Sequence, residues 1–371
     1  MIKLATRSQC CGCSACADAC PHRAISMKAD AMGFKYPEVD PALCTDCGIC
    51  EQLCAFKPCD AQPEPSCEAI RFPQLIDSSQ SGGLAFAIMR KAIRTGYVVY
   101  GAATDDDFCV RHRRVESEEG LEPLRLSKYL QSDTEGIPAR VLKDLQEGRK
   151  VLFTGTPCQC AGVASLCRAH RQNLLLSDII CHGVPGLNVW KDYLRHQEKK
   201  RGRKLTGALF RDPALGWHGS KEALFFGDEK LNNDEYNHLY FSRIMMRPAC
   251  YACPFASLDR PSDITMGDCW GIEKVLPGFA DDNRGCSLLI THTDAGREFT
   301  LSFHDACERK SLPVSDILQP NLTQATSPHK DTELFENTYI RKGYAATMRR
   351  FGRYSLRNRI NRFICKHKRH Q

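Results

Sequence analysis

Hydrophobic and polar positions change period several times along the chain, and each change marks an element. Residues 150–180, KVLFTGTPCQCAGVASLCRAHRQNLLLSDII, open with a short apolar run, turn at Thr-Gly-Thr-Pro, continue at helical spacing and end in a second apolar run. This predicts strands near Val151–Thr154 and Leu174–Ile180 joined by a helix, a βαβ unit with parallel strands and a right-handed crossover. Cys158 falls just past the first strand and Cys181 just past the second. Open α/β sheets keep ligands at the carboxyl ends of their parallel strands, so the two thiols are expected to face one crevice. Upstream, SSQSGGLAFAIMRKAIRTG (78–96) reads as a helix opened by a Gly pair, carried by Leu84, Ile88 and Ala92, and closed at Gly96. YVVYGAA and FCVRHRRV read as a strand pair around Asp105–Asp107, and SKYLQSD leads into a helix ending near Gly148. Downstream come a helix around Val189–Lys200, a hairpin in FRDPALGWHGSKEALFF and a helix carrying Tyr236, Leu239, Tyr240 and Ile244 that Asp234 can cap. DITMGDCWGI then reads as a loop, and GCSLLITHTDAGREF as a strand entering a helix.

Ahead of this lies a pattern set by cysteine rather than by hydrophobicity. Cys10, Cys13, Cys16 and Cys20 and then Cys44, Cys47, Cys50 and Cys54 repeat CxxCxxCxxxC at an offset of 34 positions. A cubane cluster needs four soft thiolates. Three cysteines spaced by two residues wrap one cluster, and the displaced fourth reaches the neighbouring one. Cluster one then takes Cys10, Cys13, Cys16 and Cys54, and cluster two takes Cys44, Cys47, Cys50 and Cys20. Zinc modules use two separated CxxC pairs and leave the third and fourth cysteine of each run without a role. Pro21 follows Cys20 as in bacterial ferredoxins, whereas Ala55 follows Cys54, a departure that touches the turn and not the ligand. ISMKADAMGFKYPEV between the halves reads as a hairpin turning near Gly33, and KPCDAQPEPSCE as an extended linker.

Composition narrows the setting. A chain of 371 residues with 42% hydrophobic content suits one small and one large domain. MIKLATRSQCC lacks the apolar stretch of a secretory signal, and no apolar run spans a membrane, so a cytoplasmic protein is expected, with metal ligation rather than disulfides as the use of 22 cysteines. The net charge of +7 is local: eleven basic residues and no acid fall in 340–371, leaving about −4 elsewhere. Ile340, Tyr344, Met348, Phe351, Leu356, Ile360, Phe363 and Ile364 recur among them at helical spacing. Such a tail fits a helix packed on its own domain, peripheral contact with the inner face of the membrane, or partner docking; nothing else reads nucleic acid. The expected organisation is a dicluster ferredoxin-type domain at 1–58, a linker at 59–75, a large domain at 76–320 and a basic amphipathic tail at 321–371.

Taken in order, TGTPCQCAG, SDIICHGVP, FRDPALGW, RPACYACPFA, SDITMGDCWGI and GCSLLITHTDAG resemble the beta-subunit family of coenzyme F420 hydrogenases and dehydrogenases, over roughly residues 65–310. Coenzyme F420 is a deazaflavin; members with a dicluster ferredoxin module in front form a common subtype. The fold class implied is α+β / α/β, a bacterial dicluster ferredoxin fold followed by a mixed α/β FAD and iron–sulfur domain and a basic helix. The resemblance implies FAD beside a third [4Fe-4S] cluster, carried by motif onto Cys158, Cys181, Cys250 and Cys253; a CxxC pair with two converging cysteines equally fits zinc. Cys160, Cys167 and Cys269 are spare thiols, and Cys269 stands where the family usually has Phe in GDFWG. For FAD it points to Ser81, Gly82 and Gly83, to Ser127, Lys128, Tyr129, Gln131 and Ser132, and to Thr154, Gly155, Thr156 and Pro157; each alone is also ordinary turn chemistry. Trp190, Trp217 and Trp270 suit stacking on a flavin ring or a plain core. No catalytic acid stands out.

The function expected is an FAD-dependent iron–sulfur oxidoreductase. It exchanges hydride with coenzyme F420, another small-molecule hydride carrier or an organic substrate, and passes single electrons through the clusters to a redox protein partner. Relatives of this compact length often accompany surface-polysaccharide biosynthesis genes, which suggests a sugar or lipid-linked glycan precursor. The rival is an electron-transfer or docking subunit with no organic substrate of its own.

Overall fold

The computed structural model describes residues 6–61, 63–355 and 358. The cysteine repeat folds into two short helices, α1 (Ala15–Asp18) and, after the hairpin of β1 (Ile25–Ala29) and β2 (Lys35–Val39), α2 (Ile49–Gln52). Gly33, at φ 87°, turns the hairpin where the sequence places it.

The large domain is built on one eight-stranded sheet. In chain order its strands and covering helices are β3 (Ser66–Arg71), α3 (Leu84–Arg94), β4 (Tyr97–Thr104), β5 (Val110–Val115), α4 (Ile137–Gln146), β6 (Lys150–Gly155), α5 (Pro157–Leu166) and β7 (Leu174–Ile179). Next come α6 (Leu187–Arg201), the small strands β8 (Gly207–Leu209), β9 (Glu222–Phe226) and β10 (Glu229–Asn233), and α7 (Glu235–Phe241). The chain then returns to the sheet with β11 (Ile264–Asp268), α8 (Ile272–Val275), β12 (Ser287–Thr291), α9 (Asp294–Thr300) and β13 (Glu308–Leu312), and ends in α10 (Thr332–Phe351). The strand order is β13-β3-β12-β11-β7-β6-β4-β5, with β4, β6, β7 and β11 parallel. Their carboxyl ends therefore share one edge. On one face Ile70, Leu84, Ile88, Val99 and Leu152 form a core under α3; on the other, Val98, Phe153, Val141 and Val163 form a core under α4 and α5.

Three expectations need correction. The linker at 59–75 contains β3, which pairs with both β12 and β13. Pro63 and Pro65 only bring the chain to the strand, and the alternation that follows them is buried. DITMGD is likewise a strand, β11, rather than a loop. Its polar positions are internal: Thr265 donates to Asp178 at 2.6 Å, and Gly267 lets Ile180 approach to within 2.6 Å of where a Cβ would stand. Asp234 does precede α7 but makes no side-chain cap; its carboxylate pairs with Arg353 at 2.9 Å.

The tail helix is packed on its own domain. Phe335, Tyr339, Tyr344 and Phe351 are buried in the same core as Val189, Trp190 and Tyr193 of α6, whereas Ile340 is exposed. A bend at Gly343, φ 73°, breaks the regular stripe expected from the sequence. Arg357 and the basic residues from 359 onward lie outside the described residues. Among the described residues no helix is long and apolar enough to cross a membrane.

The amino-terminal module is welded to the large domain. Met32 and Phe34 are buried in the core with α6 and α7, worth roughly 1.5–3 kcal/mol per side chain. A Cβ on Gly186 would stand 2.1 Å from the Met32 carbonyl, so only glycine admits the hairpin there. Asp18, at the end of α1, accepts hydrogen bonds from the backbone of Gly136 (3.2 Å) and Ala139 (3.1 Å), thereby capping α4 across 118 residues of sequence.

Candidate functional site

Three groups of thiols form, each drawn from separate elements. Cys16 is pushed up to about 12 by burial and then by the nearby Cys13, Cys10 and Cys54, so the four cysteines predicted for cluster one lie near one another. Cys20, Cys44, Cys47 and Cys50 line one cavity with Pro21, His22 and Ile49, and the Ala24 amide donates to the Cys20 sulfur at 3.3 Å. Displacement of the fourth cysteine of each run into the other group is what the repeat predicts.

The third group gathers at the sheet edge. Thr156 and Pro157 start α5 with a capping box in which the Thr156 amide and hydroxyl both reach Gln159 Oε1, at 3.0 and 3.1 Å, and this fixes Cys158 in the first turn. Cys181 follows β7, and a tight turn at Pro248–Ala252 supplies Cys250 and Cys253. Burial raises Cys181, and the approach of Cys250, Cys158 and Cys253 raises it further; the same two causes push Cys250 up to about 12 and Cys253 up to about 11. Thiols held together without water resist becoming anions, and a bound cation relieves that cost; the residues fit an electropositive metal cluster. Among the described residues no three His, Cys, Asp or Glu side chains close on a site the size of one ion.

Cys11, which belongs to neither repeat, joins the first group to the third. Its thiol is buried close to Cys13 and Cys158: that proximity lowers Cys13 to about 7, lowers Cys158, and raises Cys11 itself. One turn beyond Cys158, Gly162 makes room for Cys13, whose sulfur lies 2.8 Å from where a Cβ would stand. The second group sits outermost, with Cys47 exposed.

The residues predicted for FAD divide into two sets. Gly83 caps α3 at φ 90°, and Gly82 is wedged so that a Cβ would stand 2.4 Å from the Ile70 carbonyl, while the Ser81 hydroxyl donates to Cys286 O at 2.8 Å. The loop 125–132 lies beside this turn, Arg125 donating to the Ser78 carbonyl at 2.7 Å. Within it the Lys128 ammonium donates to the carbonyls of Arg125 and Leu126, with no carboxylate partner among the described residues, and burial brings it down to about 7. A half-buried amine answered only by carbonyls, whose charge a nearby anion would favour, fits an anionic group such as a pyrophosphate or the flavin N1 edge. The second set is committed to internal bonds. Gln131 donates to the Cys11 carbonyl at 2.8 Å; Ser132 joins His112 Nδ1 and Gln159 Nε2, both at 2.9 Å; the Thr154 carbonyl accepts from His112 Nε2 at 2.9 Å; Gly155 lies against Gln159 Oε1.

Of the three tryptophans, Trp190 is core, stacked on Phe210 at 4.4 Å. Trp217 and Trp270 stack on each other at 4.9 Å, and Trp270 leaves 44% of its surface open at the strand-end mouth. Asp268 at the end of β11 orders them, accepting from Trp217 Nε1 at 2.8 Å and from Arg211 at 3.0 Å, with the Arg211 guanidinium 5.3 Å from the Trp270 ring. Sequence reasoning missed Cys11, Arg211, Asp268 and Arg247. The only local signals were the position of Cys11 beside a ligand motif and the motifs FRDPALGW and GDCWG.

Residues 148–317 match the family described as the carboxyl terminus of the coenzyme F420 hydrogenase/dehydrogenase beta subunit, and residues 9–57 match the 4Fe-4S dicluster domain. Over these two stretches the chain is similar to the coenzyme F420 hydrogenase/dehydrogenase beta-subunit family and to dicluster ferredoxin-type modules. It is an iron–sulfur electron-transfer protein related to an oxidoreductase family, with the dicluster domain in front of the region that matches the family's carboxyl terminus. A chain of the xenon-derivatized F420-reducing [NiFe] hydrogenase complex from Methanosarcina barkeri is similar at 14% identity, over 79% of this chain and 92% of that one, with a TM-score of 0.46. No curated relative matches the chain.

Proposed function

We propose that the chain is an FAD-dependent iron–sulfur oxidoreductase, exchanging hydride with an organic carrier at FAD and single electrons with a redox protein partner through three [4Fe-4S] clusters. Cluster one is assigned to Cys10, Cys13, Cys16 and Cys54, cluster two to Cys20, Cys44, Cys47 and Cys50, and cluster three to Cys158, Cys181, Cys250 and Cys253. The observation that supports this most is the packing of the Cys13 sulfur, of the first group, against Gly162 on the helix that carries Cys158 of the third, where a Cβ would stand 2.8 Å from it. Close approach of the two thiol groups is what an electron relay requires.

Flavin, when bound, divides a two-electron hydride into single-electron steps. The chain's own residues prepare that site. Lys128 offers a half-buried amine whose charge a bound anion would favour, Gly82 and Gly83 bring backbone to the start of α3, and Gln131 ties the same loop to Cys11. Trp270 leaves 44% of its surface exposed at the mouth, an aromatic edge that suits a planar hydride carrier, the deazaflavin coenzyme F420 or another. The second reading, an electron-transfer or docking subunit without an organic substrate, is favoured by one observation: Gln131, Ser132 and Thr154–Thr156 already have internal partners.

Anaerobically purified chain is expected to contain about twelve irons, four per cubane, and a flavin absorbance band. Cys181→Ser loses about four of those irons, whereas loss of a single zinc would replace cluster three by a structural ion. Lys128→Met keeps the iron and loses flavin. Iron without flavin in the unaltered chain selects the second reading, and an iron-free native chain overturns both.

A further inference from the structure

Arg247 is 1% exposed, so its guanidinium is among the most deeply buried charges of the chain. It extends from the large domain into the ferredoxin module. Nε donates to the Cys10 carbonyl at 2.6 Å, Nη2 to the Lys35 carbonyl at 2.7 Å and to the Cys10 sulfur at 3.7 Å, and Nη1 to Gln131 Oε1 at 3.1 Å. Its plane lies 4.3 Å from the Tyr36 ring. Among the described residues none of its partners is a carboxylate. Burying a guanidinium without a compensating anion costs several kcal/mol, so the fold must supply negative charge here from another source. The thiolate-ligated cubane assigned to Cys10, Cys13, Cys16 and Cys54 is such a source, since a [4Fe-4S] core with four thiolates is a net anion and becomes more so on reduction.

We propose that Arg247 is a positioning residue that acts as the buried counter-charge of cluster one, raising its potential above that of cluster two and favouring the electron on the side of the third thiol group. The inference rests on the cluster assignment above. Its direction follows from charge: a cation hydrogen-bonded to a ligand sulfur stabilises the reduced, more negative form. The two ferredoxin sites differ in this respect, because the lining of the Cys20, Cys44, Cys47 and Cys50 cavity contains no arginine or lysine among the described residues. Gly12 protects the arrangement, as a Cβ there would stand 2.9 Å from Arg247 Nη1.

The test is a redox titration of the full chain followed by electron paramagnetic resonance, with cluster three identified by its absence in Cys181→Ser. Arg247→Met with full iron content is expected to lower one of the two remaining potentials by at least 59 mV, the equivalent of tenfold for one electron, and to leave the other in place. Gln131→Glu is the second variant, retaining Arg247 and setting a carboxylate where the amide oxygen stands 3.1 Å from the guanidinium; it is expected to shift the same potential downward. Arg247→Lys restores most of the loss. Unmoved potentials, or equal shifts in both ferredoxin clusters, overturn the proposal in either variant. Fewer than three cubane signals in the unaltered chain would instead remove the cluster assignment beneath it, and the proposal with it.

Discussion

His112 offers the most quantitative test of how the strand-end network is held. The ring is buried, stacked on Phe153 at 5.0 Å, with Nε2 against the Thr154 carbonyl and Nδ1 against the Ser132 hydroxyl. A carbonyl can only accept, so Nε2 carries the proton and Nδ1 accepts from Ser132, whose oxygen in turn accepts from Gln159. Protonating Nδ1 would break that chain. Burial lowers the imidazole from 6.5 to about 4. The unfolded chain therefore takes up this proton at a higher pH than the folded one. The contribution of neutral His112 is full above pH 6.5, falls as pH drops through that value and is exhausted near pH 4. At about 1.4 kcal/mol per unit the whole effect is about 3 kcal/mol, of which about 2 kcal/mol has gone by pH 5. His112→Gln keeps one donor and one acceptor and removes the titration. Urea unfolding followed by fluorescence of the buried Trp190 and Trp217, at pH 7.5 and pH 5, is expected to show wild type losing about 2 kcal/mol more than the variant. Parallel pH dependences in the two proteins would refute the assignment of a neutral, doubly bonded His112.

Further tests address the joint between the modules. Asp18→Ala removes the cap on α4 and is expected to cost about 1 kcal/mol in chemical unfolding, with Asp18→Asn recovering most of it because asparagine caps as well. Gly162→Val forces a side chain into the space occupied by the Cys13 sulfur; a loss of roughly 1–3 kcal/mol and a fall in iron content are expected, read by thermal melting and iron analysis.

The parts of this architecture that were legible in the sequence are those encoded over short separations. Ligand runs spaced by two and three residues give away the dicluster-type domain that residues 9–57 match, and residues 150–180 show their strand, helix and parallel strand because each period completes within a few turns. β3 was hidden by its prolines and β11 by Thr265, Gly267 and Asp268, polar letters that become internal partners once the sheet forms. Asp18 and Arg247 were hidden for a different reason. Their partners lie 118 and 237 residues away, and nothing local distinguishes an inter-module cap or a buried counter-charge from a surface acid or base. The same holds for Gln131, which family likeness pointed toward a flavin while its amide faces the Cys11 carbonyl.

The placement of β3 carries a consequence for how the chain is made. It is the first strand of the large sheet to leave the ribosome, yet both of its neighbours, β12 and β13, are among the last. Until residue 291 has been synthesised neither of its edges has a partner, and until residue 312 one edge stays open. Sheets whose partners are so distant in sequence form slowly and leave apolar strands uncovered during translation. The nascent chain must therefore keep its opening strand from other edges for most of its synthesis, and cubane delivery to the amino-terminal module can precede the arrival of the domain against which that module finally rests.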